Sequence, residues 1–115
     1  MIIRAHERVF ETRHEMRGRK GDVSLAQIPS QALAKHVRLV SELTIPPGAG
    51  IGTHVHNEET EYFLIIEGIG TVDDNSVSAQ VQPGDVLVTG GGARHNIENH
   101  LNAPLRLIAI IVTEA

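Results

Sequence analysis

Cysteine and tryptophan are absent from this chain of 115 residues, and aromatic residues make up only 3% of it. Without cysteine the chain can form neither a disulfide framework nor a thiolate metal site. The absence of cysteine is also compatible with a location in a reducing compartment. Any metal ion must therefore bind through nitrogen and oxygen. Because aromatic side chains are so few, the hydrophobic core must be built mainly from aliphatic residues.

Long hydrophobic runs are also missing. The longest, residues 107–112, has six residues, whereas a transmembrane helix needs about 20. The first eight residues carry arginines, a histidine and a glutamate rather than a hydrophobic leader. These features predict a soluble cytoplasmic protein without a membrane partner, and the length predicts a single domain.

Positive charge is concentrated near the start of the chain. Residues 1–20 hold six Lys and Arg against three Glu, a net charge of +3. The whole chain has a net charge of −4, so the remaining residues carry −7. No helix-turn-helix, zinc finger or aromatic stacking platform accompanies the basic residues, and we predict no nucleic-acid partner. We interpret residues 1–22 as an N-terminal arm that packs on the domain, on a partner subunit or over a site. Residues 23–115 form the domain.

Short candidate strands, separated by Gly, Pro, Asn and Asp, follow from residue 23. These four residue types provide the backbone angles and side-chain caps that turns require. Many short strands at this spacing are typical of a β-sandwich or barrel. A short helix is possible at 30–35. The predicted strands are 23–28, 37–45, 53–56, 61–67, 70–73, 76–81, 86–89, 95–99 and 105–113.

Three histidines and a glutamate are candidate metal ligands. His54 and His56 are two residues apart, so on a strand both imidazoles project from one face. Glu61 begins the next predicted strand, and His95 follows a glycine-rich turn. A carboxylate beside imidazoles suits a divalent first-row ion. If the sheet closes on itself, the four residues form one site and leave one or two positions on the ion open.

The spacing around the first three ligands is characteristic. Gly48 is followed after five residues by His54-Val55-His56, after four more by Glu61 and after six more by Gly68. This segment resembles the first cupin motif at every fixed position.

A second motif follows after a spacer of fifteen residues. Gly84 is followed after five residues by Gly90-Gly91-Gly92, after two by His95 and after three by Asn99. The segment resembles the second cupin motif except that Gly90 replaces the family's proline. That change frees a backbone angle but removes no ligand.

The resemblance to small single-domain cupins implies an all-β fold, a double-stranded β-helix or jelly-roll barrel. It also implies that His54, His56, Glu61 and His95 hold one divalent transition metal: manganese, iron, nickel, cobalt, copper or zinc. Gly68 and Gly84 would be turn glycines, and Asn99 a residue that satisfies backbone groups in a turn. Cupins of this size are commonly homodimers. The apolar character of both faces of 62–66 and 105–112 predicts a homodimer as well.

For function, the leading hypothesis is a metal-dependent enzyme acting on a small oxygen-rich molecule, a carboxylate, enol or diol that chelates the ion. A decarboxylase, a dioxygenase and an isomerase are all compatible. The alternative is a non-catalytic cupin that binds or senses a small ligand, since the motifs contain no general base apart from the ligands. Short cupins of this kind resemble oxalate decarboxylases, but those have two domains and an arginine three residues before the first histidine. This chain has Ile51 there, so we expect oxalate to bind without efficient decarboxylation.

Overall fold

The computed structural model describes residues 1–114, which form ten strands and three single turns of 3-10 helix. The turns are Ala5–Glu7, Met16–Gly18 and Ser30–Ala32. The strands are β1 (Val9–His14), β2 (Asp22–Gln27), β3 (Val37–Ile45), β4 (Gly50–Val55), β5 (Glu59–Glu67), β6 (Gly70–Asp74), β7 (Val77–Val81), β8 (Val86–Gly90), β9 (Arg94–Glu98) and β10 (Leu105–Thr113).

The strands form two antiparallel sheets, as the all-β jelly-roll prediction requires. One sheet has six strands in the order β1-β2-β3-β10-β5-β8, and the other has four in the order β4-β9-β6-β7. Neighbouring strands are mostly not consecutive in the chain. Strands β4, β5 and β9, which carry the candidate ligands, are thereby brought together from distant parts of the sequence.

The core lies between the sheets and is almost entirely aliphatic. Strand β10 shows the pattern that creates it: Leu105, Leu107 and Ala109 have no exposed surface, and their neighbours in sequence are partly exposed. Alternate residues of a strand face opposite sides of its sheet, so one side becomes core. The buried apolar residues are Val23, Leu25, Leu43, Ile45, Ala49, Ile51, Phe63, Ile65, Val72, Leu87, Ile97, Leu105, Leu107, Ala109 and Ile111.

The arm residues join the fold at several points. Strand β1 pairs with β2 at the edge of the six-stranded sheet, and Arg8 donates to the Glu42 carboxylate on β3 at 3.0 Å. Arg19 pairs with Glu98 on β9 at 3.2 Å, so the arm is tied to both sheets. Of the three positions predicted for the arm, the structure shows packing on the domain, and it also places Arg13, Met16 and Arg17 beside the candidate ligands.

Several predicted boundaries were wrong. The strand predicted at 53–56 runs from Gly50 to Val55, and β5 begins two residues earlier than predicted, at Glu59. The helix predicted at 30–35 is a single 3-10 turn without a side-chain cap, and the backbone is extended again at Leu33. Strand β1 was not predicted because five of its six residues are exposed. An edge strand without a buried face lacks the alternation by which strands are recognised.

Two motif residues have the turn roles expected of them. Gly68 adopts a φ of +85°, and a Cβ there would collide with the Pro104 carbonyl and lie 3.0 Å from the Leu105 Cα. The buried Asn99 amide donates to the carbonyls of Ile45 and Ala103 at 2.9 and 2.8 Å. A buried turn needs such partners because unpaired polar groups are costly away from water.

Within residues 1–114, no helix has the length and apolar character required to cross a membrane.

Candidate metal centre

Four titratable side chains meet at one end of the sandwich. His54 lies in β4, His56 directly follows it, Glu61 lies in β5 and His95 in β9. His54 and His95 are register partners across the β4–β9 pair, whereas Glu61 reaches the cluster from the other sheet. One candidate ligand atom from each residue lies within 4.8 Å of all the others. The structure therefore brings together the four residues that the sequence predicted as one site.

The spacing of these atoms fits a single small cation. His95 Nε2 lies 3.0 Å from His54 Nε2 and 3.1 Å from His56 Nε2. Glu61 Oε1 lies 2.8 Å from His56 Nε2, 3.0 Å from His95 Nε2 and 3.8 Å from His54 Nε2. Two ligands that are about 2.1 Å from an ion and at right angles to each other are about 3.0 Å apart. The cluster is therefore compatible with one metal ion.

The first two imidazoles are oriented by their Nδ1 atoms. His54 Nδ1 donates to the Gly52 carbonyl at 2.7 Å, and His56 Nδ1 donates to the Glu59 carboxylate at 2.6 Å. A carbonyl and a carboxylate are acceptors, so they fix the proton on Nδ1 and leave Nε2 with its lone pair free. Both rings thus present a basic nitrogen to the centre of the cluster.

The third imidazole is held by a hydroxyl and by packing. Thr89 Oγ1 lies 2.8 Å from His95 Nδ1. The ring of Phe63 stacks on that of His95, with centroids 4.8 Å apart and planes inclined by 21°. Phe63, Thr89 and His95 are all buried. The hydrophobic core therefore supports this candidate ligand directly, which limits the freedom of its Nε2.

The arrangement places hydrogen-bond acceptors opposite one another. With the Nδ1 protons of His54 and His56 bonded to acceptors, the Nε2 lone pairs of these two neutral rings face the Glu61 carboxylate, which is only 5% exposed. The Thr89 hydroxyl can donate to or accept from His95 Nδ1, so either nitrogen of that ring can carry the proton. Buried acceptors without a donor or cation between them are costly. A divalent ion would satisfy all four at once, which is the chemical reason why this donor set fits a metal.

The pKa values of the cluster favour an ionised carboxylate. Burial raises the pKa of Glu61, but hydrogen bonds from His54, His56 and His95, formed when their Nε2 atoms are protonated, outweigh it and hold that pKa far below its usual range. The hydrogen bond to Glu61, with a further one to Glu59, raises the pKa of His56 above its ordinary value despite burial. Burial lowers the pKa of His95. As the pH falls, His56 is therefore protonated before His95, and a proton there competes with a metal ion.

A cavity of about 80 Å³ lies against the cluster. Because about 10 to 15 Å³ of such volume is sufficient to hold one water molecule, the cavity has room for several waters or for one small organic acid. Both sheets and the arm contribute to the wall. Besides His54, His56 and Glu61, the lining residues are Arg13, Met16, Arg17, Leu25, Arg38, Leu39, Leu43, Ile51, Phe63 and Ile111.

Sequence reasoning missed two features of this cavity. Glu59 lies outside the strand predicted at 61–67, but it belongs to β5 and accepts hydrogen bonds from both His56 and Arg38, whose guanidinium donates to it at 2.9 and 3.1 Å. The second feature is positive charge. Ile51 occupies the position at which an arginine was sought, yet Arg13, Arg17 and Arg38 reach the same cavity from the arm and from β3. No local spacing reveals such distant contributors.

Comparison with known proteins places the chain in a family. The model of the cupin domain matches residues 41–111, which include all four residues of the cluster. The chain is a cupin. The family prediction is thus confirmed, together with the fold that it implied.

A full-length relative supports the same conclusion. The cupin is 36% identical over 113 residues to the oxalate-binding protein of Thermotoga maritima, an alignment that spans 97% of this chain and 93% of that protein. A crystal structure of a predicted oxalate decarboxylase from Thermotoga maritima superposes with a TM-score of 0.91 at 36% identity, covering 98% and 99% of the two chains. KdgF from Halomonas shares the fold at a TM-score of 0.79 and 14% identity, covering 100% of this chain and 94% of its own.

Proposed function

We propose that this cupin binds one divalent transition-metal ion through His54, His56, Glu61 and His95 and, on that ion, a small oxyanion such as oxalate. The observation that carries the proposal is the convergence of three imidazole Nε2 atoms and a buried carboxylate beneath a small cavity. Four protein ligands leave one or two positions on an ion that prefers five or six. The ion would act there as a Lewis acid that attracts oxygen ligands.

Binding is favoured over turnover by the composition of the cavity wall. Apart from the proposed ligands, the described lining residues comprise arginines and apolar side chains. None of these is a general acid or base with a pKa suited to neutral pH. The name of the Thermotoga maritima relative, an oxalate-binding protein, agrees with such a role. The metal's identity and a cytoplasmic location remain predictions from the sequence.

We expect calorimetry with manganese-loaded protein to show oxalate binding at one site per chain, with a Kd of about 1 mM or tighter. Formate production from oxalate under air should stay at the level of the buffer control. Absence of any heat of oxalate binding to loaded protein would contradict the proposal. Rapid formate release that is lost in Glu61→Ala would show that the cupin is a decarboxylase.

We also propose that the cupin is a homodimer, as predicted from the sequence. The outer face of the six-stranded sheet exposes apolar side chains on β5 and β8: Leu64 (37%), Ile66 (45%), Val86 (53%) and Val88 (54%). Contiguous apolar surface of this kind is typical of interfaces. Light scattering at micromolar concentration should give twice the 12.5 kDa of one chain.

Two matched variants test whether dimerisation depends on this face or is disturbed by any new charge on the surface. Val88→Glu should yield monomer because it places a charge on the apolar face. Val77→Glu should leave the dimer intact, because Val77 is 65% exposed on β7 of the other sheet. A wild-type particle of 12.5 kDa would contradict the proposal.

A further inference from the structure

Three arginines line the cavity over the metal centre, and they differ in how their charge is balanced. Arg38 is held by both oxygens of Glu59 at 3.1 and 2.9 Å. Arg13 is held by both oxygens of Glu11 at 3.1 and 3.4 Å. Arg17 forms no ion pair with any carboxylate in the described part of the chain, residues 1–114. Of the three, Arg17 alone has a charge that is not already neutralised by a neighbour.

The backbone around Arg17 is held in an uncommon conformation. Glu15 and Arg17 both adopt left-handed backbone angles, with φ of 49° and 55°. These angles cost free energy for residues other than glycine and persist only where surrounding contacts impose them. The side chain of Met16, between them, packs against the hydrophobic core. The arm is thus anchored through Met16 and presents Arg17 at the cavity.

Strand β4 has a glycine, Gly52, at the point where the backbone of Arg17 packs against it. A Cβ at Gly52 would collide with the Arg17 carbonyl oxygen and would lie 2.9 Å from the carbonyl carbon. The missing side chain of Gly52 therefore allows the arm to lie directly on β4. Gly52 is also the residue whose carbonyl orients His54. A single residue, Gly52, therefore contacts the arm and also orients one of the candidate metal ligands.

We propose that Arg17 binds the part of the ligand that faces away from the metal, so that the site selects small dicarboxylates over matched monocarboxylates. The inference rests on the proposed function, since it requires an anion on the ion. A dicarboxylate such as oxalate chelates with one oxygen of each carboxylate and leaves its two other oxygens side by side. The planar fork of a guanidinium donates to such a pair in parallel.

Oxamate provides the contrasting ligand. It has the size and planarity of oxalate, but an amide replaces one carboxylate. When it chelates through oxygens, one of its two outward groups is an NH₂ donor, which opposes the donors of Arg17. The ion is the same in every variant, so the change in the ratio of the two affinities on mutation reports on Arg17 rather than on the metal.

The test is calorimetry of oxalate and oxamate with manganese-loaded wild type, Arg17→Gln and Lys20→Gln. Arg17→Gln should weaken oxalate binding by about tenfold or more, since charge-assisted hydrogen bonds are lost, and should change oxamate binding far less. Lys20→Gln removes the same charge from the arm but does not line the cavity, and should change either affinity by less than about twofold. Bound manganese should be equal in all three proteins.

A second variant tests the role of Arg17 without altering the arginine itself. In Gly52→Ala the new Cβ should displace the arm, weaken oxalate binding and speed trypsin cleavage after Arg17 and Arg19 in metal-free protein. Thr53 is the exposed neighbour of Gly52 on β4, and trypsin should cleave Thr53→Ala at the same rate as the wild type. Oxalate binding unchanged in Arg17→Gln, or equally weakened in Lys20→Gln, would overturn the role of Arg17 and leave the proposed function intact. Wild type that binds neither oxalate nor oxamate would overturn both.

Discussion

Replacing His56 by Ala is expected to remove the bound metal almost completely while the barrel stays folded. His56 is 3% exposed, its Nε2 lies within 3.1 Å of both Glu61 Oε1 and His95 Nε2, and it is a member of the proposed ligand set. Loss of one of four ligands lowers metal affinity by orders of magnitude. The core consists of aliphatic residues between the two sheets, so folding should not depend on the ion.

The measurements are metal content after purification without chelator, circular dichroism and thermal unfolding. His100→Ala is the matched control, because His100 is half exposed and pairs with Glu98 rather than with a member of the cluster. It should retain the wild-type metal content. An unfolded His56→Ala protein would support a structural role for the ion, and an undiminished metal content would contradict the assignment of His56.

Replacing Phe63 by Ala is expected to destabilise the protein by about 3 to 5 kcal/mol. Phe63 is 1% exposed, the largest of the fully buried side chains, and its ring stacks on the imidazole of His95. The substitution removes buried apolar surface and leaves a cavity beneath one proposed ligand. We therefore expect weaker retention of the metal in addition to the loss of stability.

Urea unfolding of metal-free protein measures the first effect, and metal content after dialysis measures the second. Val77→Ala is the control, since Val77 is 65% exposed on β7 and surface changes usually stay within about 0.5 kcal/mol. If Phe63→Ala cost no more than this control, the assignment of Phe63 to the centre of the core would be wrong.

Strands β3 and β10 could be predicted to the residue because each is a largely apolar segment next to a proline: Pro46 follows β3, and Pro104 precedes β10. Proline lacks a backbone N–H donor and is disfavoured inside a strand. Strand β1 lacks the signal, since hydrogen bonds to β2 rather than burial hold it in place. Backbone hydrogen bonding leaves no mark on the side-chain pattern of an edge strand.

The candidate ligands were predictable for a similar reason. The spacing of His54, His56 and Glu61 places them in or next to two strands that are consecutive in the chain, and the motif containing His95 supplies the fourth group. Glu59 was missed because β5 begins earlier than its apolar pattern suggests, so a residue outside the predicted strand orients His56.

The position of Arg17 at the cavity could not be predicted from the sequence, for a different reason. Its position depends on left-handed backbone angles and on the space above Gly52. Both are properties of two segments docked together, and neither segment shows them by itself.

The central claim is that His54, His56, Glu61 and His95 hold one metal ion, and anomalous diffraction from crystals of manganese-loaded protein tests it most directly. The account predicts one anomalous peak per chain, about 2.0 to 2.3 Å from the Nε2 atoms of the three histidines and from a carboxylate oxygen of Glu61. A peak bound elsewhere, or fully loaded protein in which these four side chains do not share an ion, would contradict it.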